Sequence, residues 1–368
     1  MNQKLKIAVV GAGHLGRIHA RLLSQREDVE LAGIIDPIPA AREAVSREFF
    51  VPSAADFRAL PKSIDAAVVA APTEHHHEVA LRLLRNDIHV LVEKPLARNV
   101  AEADELVDAA ARRQRVLQVG HVERFNPALD AVRPRLGRIR YLEAVRASGY
   151  SFRSTDIGVV LDLMIHDLDV ILSLVAAPVV EVAAFATTVV GPHEDMAQAR
   201  LTFADGCIAN LTASRVQCQA ERTLKIYSEG AIADIDFNGP AARILRPGAP
   251  LLDRSLRADQ VPAAERNQWK DRFFQDVLPV EDLAVEKRNA IADEQSDFVN
   301  AIRLRQAPRV TGVDGRRALD VAERILAQFI SPARHMPLVR HDAAHAPLAG
   351  GPHFAPAAAR TAALRKAS

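Results

Sequence analysis

The chain has 368 residues with 47 lysines and arginines against 46 aspartates and glutamates, which gives a formal net charge of +1. This balance argues against nucleic acid or an anionic membrane as the main partner, since either would require a basic face, and no apolar stretch is long enough to span a bilayer. Cys207 and Cys218 lack metal or redox spacing and no signal-peptide pattern opens the chain, so we expect a two-domain cytoplasmic protein without a metal.

The strongest pattern of the sequence lies in its first 36 residues. An apolar run over residues 5–10 is followed by a glycine-rich turn, a helix-like stretch over residues 17–25 and a second apolar run over residues 29–35 that ends at Asp36. This order of strand, turn, helix, strand and acid is typical of a dinucleotide-binding unit. The turn has G-x-G-x-x-G spacing, and its glycines are Gly11, Gly13 and Gly16.

Each residue of this turn has a physical task in holding a dinucleotide. Gly11 permits the tight turn out of the strand, Gly13 lets the backbone approach a pyrophosphate, and Gly16 lets the helix pack close to the strand. His14 and Leu15 stand at the start of the helix, where free N–H groups and the positive end of the helix dipole attract phosphates.

Asp36 predicts which dinucleotide is bound. It follows Gly16 by 20 residues, where a carboxylate accepts hydrogen bonds from the ribose hydroxyls of the adenosine. The same charge would repel a 2′-phosphate, so the sequence predicts NAD rather than NADP as the cofactor.

Strand-like and helix-like segments alternate up to residue 121. Continuous apolar strands between helices indicate a parallel sheet that is covered on both faces. We therefore predict an α/β fold that begins with a doubly wound, Rossmann-type NAD-binding domain over residues 1–121. The further segments are a helix at 40–48, a short run at 49–51, a strand at 66–71, a helix at 76–85, a strand at 88–92, a helix at 100–113 and a strand at 116–119.

The pattern changes after Phe125 to adjacent strands with hairpin signals between them. This indicates a C-terminal α+β domain over residues 122–330 with a large, mainly antiparallel sheet for substrate binding and oligomerisation. Residues 240–290 give no clear pattern, and residues 331–368 are predicted to be a disordered tail. The segments are strands at 138–146, 179–190, 197–203, 207–216, 223–227 and 232–237, and helices at 159–174, 293–304 and 315–329.

The second sheet needs both of its faces covered. Helices, including the one at 159–174, can cover one face, and the other would expose apolar residues unless a partner lay on it. We therefore expect a homodimer or homotetramer that is joined sheet to sheet.

Glu93, Lys94 and Pro95 stand at the carboxyl end of the strand at 88–92. The ligand crevice of an open α/β sheet lies at such strand ends, so Glu93 and Lys94 are expected to line the cofactor cleft. Pro95 biases Lys94 away from helical geometry, which would hold its ammonium beside a substrate hydroxyl. The alternative is an ordinary surface lysine that follows a strand.

Asp162, His166 and Asp169 lie at positions i, i+4 and i+7 of the helix predicted over residues 159–174. We interpret His166 as a general base whose tautomer is fixed by Asp162, one turn away. The alternative is a core histidine that pairs with Asp162 for structure. A metal site is disfavoured because no second histidine or cysteine lies at ligand spacing.

Three consecutive histidines, residues 75–77, follow the strand at 66–71. Consecutive residues at a helix start point in different directions, so the three cannot chelate one ion. We expect Thr73 and His76 to contact the cofactor instead.

His121, Arg124 and Asn126 lie where the chain leaves the first domain. They are predicted to face the cleft between the domains and to bind substrate, with Arg124 offering a planar fork to a phosphate or carboxylate. The alternative is an interdomain hinge that these side chains hold through hydrogen bonds.

Together these motifs resemble the glucose-fructose oxidoreductase / inositol dehydrogenase (Gfo/Idh/MocA) family, over residues 4 to about 330. The resemblance rests on the glycine motif, A-P-T-x-x-H at 71–76, E-K-P at 93–95 and D-x-x-x-H at 162–166. It implies a catalytic set of Lys94, Asp162 and His166. The family commonly has asparagine where this chain has Thr73, so that contact is expected to differ.

Residues 120–127 and 156–169 further resemble the nucleotide-sugar branch of that family. This resemblance implies NAD-dependent oxidation of the 3-hydroxyl of UDP-N-acetylglucosamine to a ketone, as a step towards lipid A or other glycans. The alternatives are a dehydrogenase of a free polyol or sugar such as inositol, and a non-catalytic NAD-binding regulator on the same fold.

Overall fold

A computed structural model describes residues 4–61, 63–152, 157–190 and 192–330. The predicted disordered tail, residues 331–368, lies outside the described residues. The first domain contains six parallel strands, which are β1 (Leu5–Val10), β2 (Val29–Ile35), β3 (Ser53–Ala54), β4 (Ala66–Val69), β5 (His89–Glu93) and β6 (Leu117–Gly120). Their order in the sheet is β3-β2-β1-β4-β5-β6. The order reverses between β1 and β4, which opens a crevice at the carboxyl ends of the strands.

Four helices connect these strands and cover the sheet. They are α1 (His14–Ser24), α2 (Pro39–Phe49), α3 (Thr73–Arg85) and α4 (Val100–Arg113). The prediction of a Rossmann-type parallel sheet is confirmed. The short run at 49–51 forms no element of its own, because α2 continues to Phe49 and the chain then turns at Phe50 with φ 55° before β3 begins.

The second domain contains an eight-stranded sheet. Its strands are β7 (Ile139–Ala147), β8 (Val179–Thr187), β9 (Met196–Phe203), β10 (Ile208–Ser214), β11 (Glu221–Ser228), β12 (Ala231–Asp236), β13 (Ala241–Leu245) and β14 (Val280–Leu283). They lie in the order β14-β13-β12-β11-β7-β10-β9-β8, and each neighbouring pair is antiparallel except β7 and β10. The prediction of a mainly antiparallel sheet is confirmed.

The helices described in this segment are α5 (Pro127–Val132), α6 (Ile165–Leu174), α7 (Ala249–Leu252), α8 (Arg266–Asp271), α9 (Ala290–Leu304) and α10 (Gly312–Ala327). Of these, α5, α6 and α10 pack on one face of the sheet. Buried side chains of α6 and α10, such as Leu168 and Ala322, share one core with the inward residues of the strands. None of the described helices combines the length and apolar character needed to cross a bilayer.

The last two helices return to the first domain. Phe298 and Val299 of α9 are buried in one cluster with Ile7 and Leu91 of the parallel sheet. Leu319 of α10 belongs to the other core of that sheet. The two domains predicted from chain order, 1–121 and 122–330, are therefore bound together by helices from the end of the second segment.

The opposite face of the second sheet carries a mixture of residue types. The rings of Tyr141 and Tyr227 lie 5.6 Å apart there. Glu143 of β7, Arg200 of β9 and Lys225 of β11 are exposed on this face. The expectation of an apolar outer face is therefore met only in part, because the antiparallel strands alternate inward apolar with outward polar residues.

Candidate active site

A cleft of about 940 Å³ lies at the carboxyl ends of the parallel strands. The second domain contributes Asp162 to its wall, so both domains form it. The structure thus gathers the predicted cofactor residues except Gly16 around one space. Those that line it are Gly11, Gly13, His14, Leu15, Asp36, Thr73, His76, Glu93 and Lys94.

The glycines shape one end of this cleft. Gly11 has φ +100°, and a Cβ there would lie 2.4 Å from the carbonyl oxygen of Ala70. A Cβ on Gly16 would lie 1.9 Å from the carbonyl oxygen of Gly11, so this glycine permits α1 to pack on the turn. A Cβ on Gly13 would meet no atom of the described chain within 4 Å. The space beside Gly13 is therefore open to a ligand.

Helix α1 begins at this open space. Gly13 is its N-cap residue, no side chain caps it, and its first turn has no acidic residue. The first N–H groups of the helix are thus free for a phosphate, and the helix dipole favours negative charge there. The residues present fit the pyrophosphate of NAD.

Asp36 stands at the far side of the turn, after β2. Its Oδ2 accepts the N–H of Ala12 at 2.9 Å, and its Oδ1 accepts the N–H of Ile38 at 2.8 Å. These bonds fix the carboxylate in the cleft, where it can also accept from ribose hydroxyls because each carboxylate oxygen has two lone pairs.

His76 and Glu93 lie in the cleft wall with their polar atoms largely engaged. The ring nitrogens of His76 lie 2.7 Å from the carbonyl oxygen of Pro95 and 2.8 Å from that of Ala71. Glu93 Oε1 lies 2.7 Å from Nε2 of the buried His19. Both side chains therefore brace the ends of β4 and β5, which carry the cleft.

Lys94 joins the two domains across the cleft. Its Nζ donates to the carbonyl oxygen of Asp162 at 2.7 Å and to Oδ1 of the same residue at 3.1 Å. An ammonium has three donors, so one remains for a ligand. The structure thereby brings together two members of the predicted catalytic set, and the alternative of an unattached surface lysine does not hold.

The predicted pairing of Asp162 with His166 is wrong. Val160–Met164 forms a π-helical turn ahead of α6, and the carboxylate of Asp162 bonds Lys94 instead. The wider π turn breaks the i, i+4 alignment that a regular α-helix would give. Asp169, which stays three residues from His166 in the regular part of α6, pairs with Arg124.

His166 lies beside His121 at the junction of the domains. Their ring centroids are 6.4 Å apart with the planes at 86°. Among the described residues no partner reaches Nδ1 of His166 or either ring nitrogen of His121. Burial, with the positive charge of Lys94 as the next cause, lowers the pKa of His166 well below its usual value. Burial also lowers the pKa of His121 to about 3. Both rings are therefore neutral at physiological pH.

His121, Arg124 and Asn126 do not line the cleft as predicted. Arg124 donates to Oδ1 of Asp169 at 3.2 Å and to the carbonyl oxygen of Arg309 at 3.0 Å. Asn126 caps α5 through its Oδ1 and donates through its Nδ2 to Glu123. These contacts favour the alternative of a hinge held by hydrogen bonds.

A buried ion-pair group beneath this hinge was missed by the sequence analysis. Arg146 donates to both oxygens of Asp167, at 2.8 and 3.0 Å, and to Oε1 of Glu123 at 2.9 Å. All three side chains are buried. The signal in the sequence was Asp167, a charged residue inside an apolar helix beside His166.

Comparisons with known proteins agree with this geometry. A family model described as an oxidoreductase family with an NAD-binding Rossmann fold matches residues 5–121. The model of the GFO/IDH/MocA C-terminal domain matches residues 133–233.

Individual relatives span most of the chain. UDP-N-acetylglucosamine 3-dehydrogenase of Acidithiobacillus ferrooxidans is 35% identical over 87% of this chain and 96% of its own length. A solved structure of that enzyme has a TM-score of 0.78 and covers 89% of this chain and 98% of its own at 33% identity. The scyllo-inositol 2-dehydrogenase (NAD(+)) of Bacillus subtilis is 25% identical over 87% of this chain and 93% of its own length.

These matches confirm the resemblance predicted from the motifs, and with it the fold class and NAD as the cofactor. The chain belongs to the Gfo/Idh/MocA family and is an NAD-dependent oxidoreductase.

Proposed function

We propose that this enzyme oxidises the 3-hydroxyl of UDP-N-acetylglucosamine to a ketone. The observation that supports the proposal is the contact of Lys94 with Asp162, because it holds an ammonium in the cleft wall with one donor left for a substrate hydroxyl. The substrate is inferred from the 35% identical relative, which is named for this activity and matches nearly full length.

The reaction needs a base for the hydroxyl proton, and His166 suits this role. Its ring is neutral because burial lowers the pKa well below the usual value. A neutral imidazole accepts the proton, while the free donor of Lys94 stabilises the negative charge that develops on the oxygen. Asp162 holds that ammonium in place, so we assign it a positioning role.

The proton and the hydride leave the substrate in different directions. The O–H bond breaks towards His166, the C–H bond breaks as hydride leaves, and a C=O bond forms. NAD, when bound, supplies the nicotinamide that accepts the hydride. Gly13, the start of α1 and Asp36 would hold its pyrophosphate and adenosine ribose.

A free polyol is the second candidate substrate. It is supported by the 25% identical relative that is named for scyllo-inositol. The enzyme would then use the same base and ammonium on an uncharged ring. The two candidates differ only in the substrate groups away from the reacting hydroxyl, such as the nucleoside diphosphate.

A panel of substrates tests the choice. NADH formation is followed by absorbance with UDP-N-acetylglucosamine, UDP-glucose, free N-acetylglucosamine, myo-inositol and scyllo-inositol. We expect UDP-N-acetylglucosamine to give the highest kcat/KM. A higher value for an inositol would overturn the substrate proposal, and tight NAD binding without turnover of any compound would favour a regulator.

We also propose that the enzyme is a homo-oligomer joined through the outer face of the second sheet. Tyr227, 40% exposed and packed against Tyr141, lies on that face. Light scattering is expected to give a dimer or tetramer, and Tyr227→Lys is expected to dissociate it. Phe50→Lys, which changes a 94% exposed residue of the first domain, is the control. A monomeric wild type would contradict the proposal.

A further inference from the structure

Three buried side chains meet behind the cleft, where α1, β5 and α9 come together. They are His19 of α1, Glu93 of β5 and Glu294 of α9, with 0%, 8% and 0% of their surface exposed. One ligand atom from each lies within 4.8 Å of the other two. Imidazole and carboxylate are ligands that divalent transition-metal ions prefer.

Glu294 provides an independent reason to expect a ligand here. Both of its carboxylate oxygens are buried, and no donor among the described residues reaches either of them. A buried carboxylate without a partner is very costly, so its charge must be neutralised by a proton or by a cation. The negative charge of Glu93 nearby adds to that need.

The hydrogen bonds of His19 allow it to become a ligand. Its Nε2 lies 2.7 Å from Oε1 of Glu93, and its Nδ1 lies 2.9 Å from Nε2 of Gln295. Oε1 of Gln295 is buried with no partner in the described residues. Nε2 of Gln295 also donates to the carbonyl oxygen of His19 at 3.2 Å. If the Gln295 amide turns over, this bond is exchanged for one in which Oε1 accepts the Nδ1–H of His19, and Nε2 of His19 gains a free lone pair. Metal-bound histidines typically donate their other N–H to a carbonyl in this way.

The spacing of the ligand atoms suits one small cation after a slight adjustment. Two atoms about 2.1 Å from Zn²⁺ at the tetrahedral angle lie roughly 3.4 Å apart. The 2.7 Å between Nε2 of His19 and Oε1 of Glu93 is a hydrogen-bond distance and is shorter. The separations among the three ligand atoms have an upper limit of 4.8 Å, which is longer than roughly 3.4 Å. If each ligand atom moved by about 1 Å or less, all three could therefore bind the same ion.

We propose that His19, Glu93 and Glu294 bind one divalent first-row transition-metal ion, such as Zn²⁺, with a structural role. The ion would cross-link α9 to α1 and to the end of β5, one residue before Lys94. The ligands come from positions 19, 93 and 294, so no spacing motif in the sequence could predict the site. This inference is independent of the substrate proposed above.

Metal content and thermal stability test the site without an activity assay. The wild-type protein, Glu294→Gln and the control Glu265→Gln, which changes an exposed glutamate, are stripped with a chelator and dialysed against Zn²⁺. We expect the wild type and the control to retain one more zinc ion per chain than Glu294→Gln. Added Zn²⁺ is expected to raise their Tm by a few degrees and to leave that of Glu294→Gln unchanged.

The difference between variants separates this site from zinc on surface histidines, which all three proteins share. If Glu294 is instead a neutral carboxylic acid, Glu294→Gln will match the wild type in zinc content. It will then also be at least as stable as the wild type with and without zinc. That result would overturn the proposal. Equal zinc content in the wild type and Glu294→Gln would also overturn it, whichever of the two proteins has the higher Tm.

Discussion

The ammonium of Lys94 lies 2.7 Å from the carbonyl oxygen of Asp162 and 3.1 Å from its Oδ1, which ties the first domain to the second across the cleft. The carbonyl of Asp162 lies in a π-helical turn. A regular helix would direct the carboxylate towards His166, so the π turn decides which partner Asp162 serves. The same contact leaves one donor of Lys94 for a substrate.

Two glycines of the turn are expected to respond differently to alanine. Gly13→Ala adds a Cβ to open space, so the protein should fold with nearly unchanged stability but bind NAD much more weakly, because the methyl group occupies the approach of the pyrophosphate. Gly16→Ala places a Cβ 1.9 Å from the carbonyl oxygen of Gly11 and should lower the Tm. Calorimetric titration with NAD and thermal melts measure both. An equal decrease in Tm in the two variants would contradict this account.

Asp36 is expected to set the preference for NAD. Asp36→Ser removes the carboxylate that would repel a 2′-phosphate, so KM for NADP should fall and KM for NAD should rise. The ratio of kcat/KM for the two cofactors measures the change. Asp56→Ser, which changes another carboxylate of the same cleft, is the control. A preference that stays unchanged in Asp36→Ser would be inconsistent with this role.

The pH dependence of kcat/KM is expected to reflect His166. Its pKa in the free enzyme is lowered well below 6.5 by burial and by Lys94, so the base stays neutral as the pH falls past 6.5. Activity should therefore be lost only at lower pH, where the imidazole gains its proton. A profile of kcat/KM against pH, corrected for unfolding, provides the test. An acid limb at or above pH 6.5 would argue against His166 as the base.

The buried arginine of the second domain is expected to be critical for stability. Arg146→Met leaves Asp167 and Glu123 buried without their cation, which should cost about 3–5 kcal/mol. Arg243→Met removes an exposed pair with Asp282 and should have hardly any effect. Urea denaturation of both variants gives the comparison. A similarly small decrease in the free energy of unfolding of both variants would contradict the assigned role of Arg146, because Asp167 and Glu123 would then be stabilised by other groups.

Local patterns in the sequence predicted most of the first domain. The glycine spacing and the apolar runs depend on neighbours within about 30 residues, and the structure follows them from β1 to β6. Asp36, Lys94 and the glycines were placed in the cleft because strand ends of a parallel sheet meet at one edge. Residues 240–290 gave no pattern, and the structure has only short elements there, such as β13 and α8.

The failures arose where long-range contacts override local spacing. The i, i+4 relation of Asp162 and His166 assumed a regular α-helix, and the π turn removed it. Arg124 was predicted to bind substrate because the sequence did not reveal its partner, Asp169, which lies 45 residues away in the chain. Pairings over such distances leave no local signal, and only the folded chain reveals them.

The rate of NADH formation with UDP-N-acetylglucosamine in Lys94→Ala and His166→Asn tests the central claim most directly. His166→Asn should bind NAD as the wild type does, because His166 does not line the cleft that would hold the cofactor. We expect His166→Asn to lose about two to four orders of magnitude in kcat, the usual contribution of a positioned base. Lys94→Ala should lose about two to three orders of magnitude, the usual effect of removing one donor to a developing oxyanion. Turnover near the wild-type rate in either variant would contradict the assignment of the ammonium and the imidazole to one substrate hydroxyl.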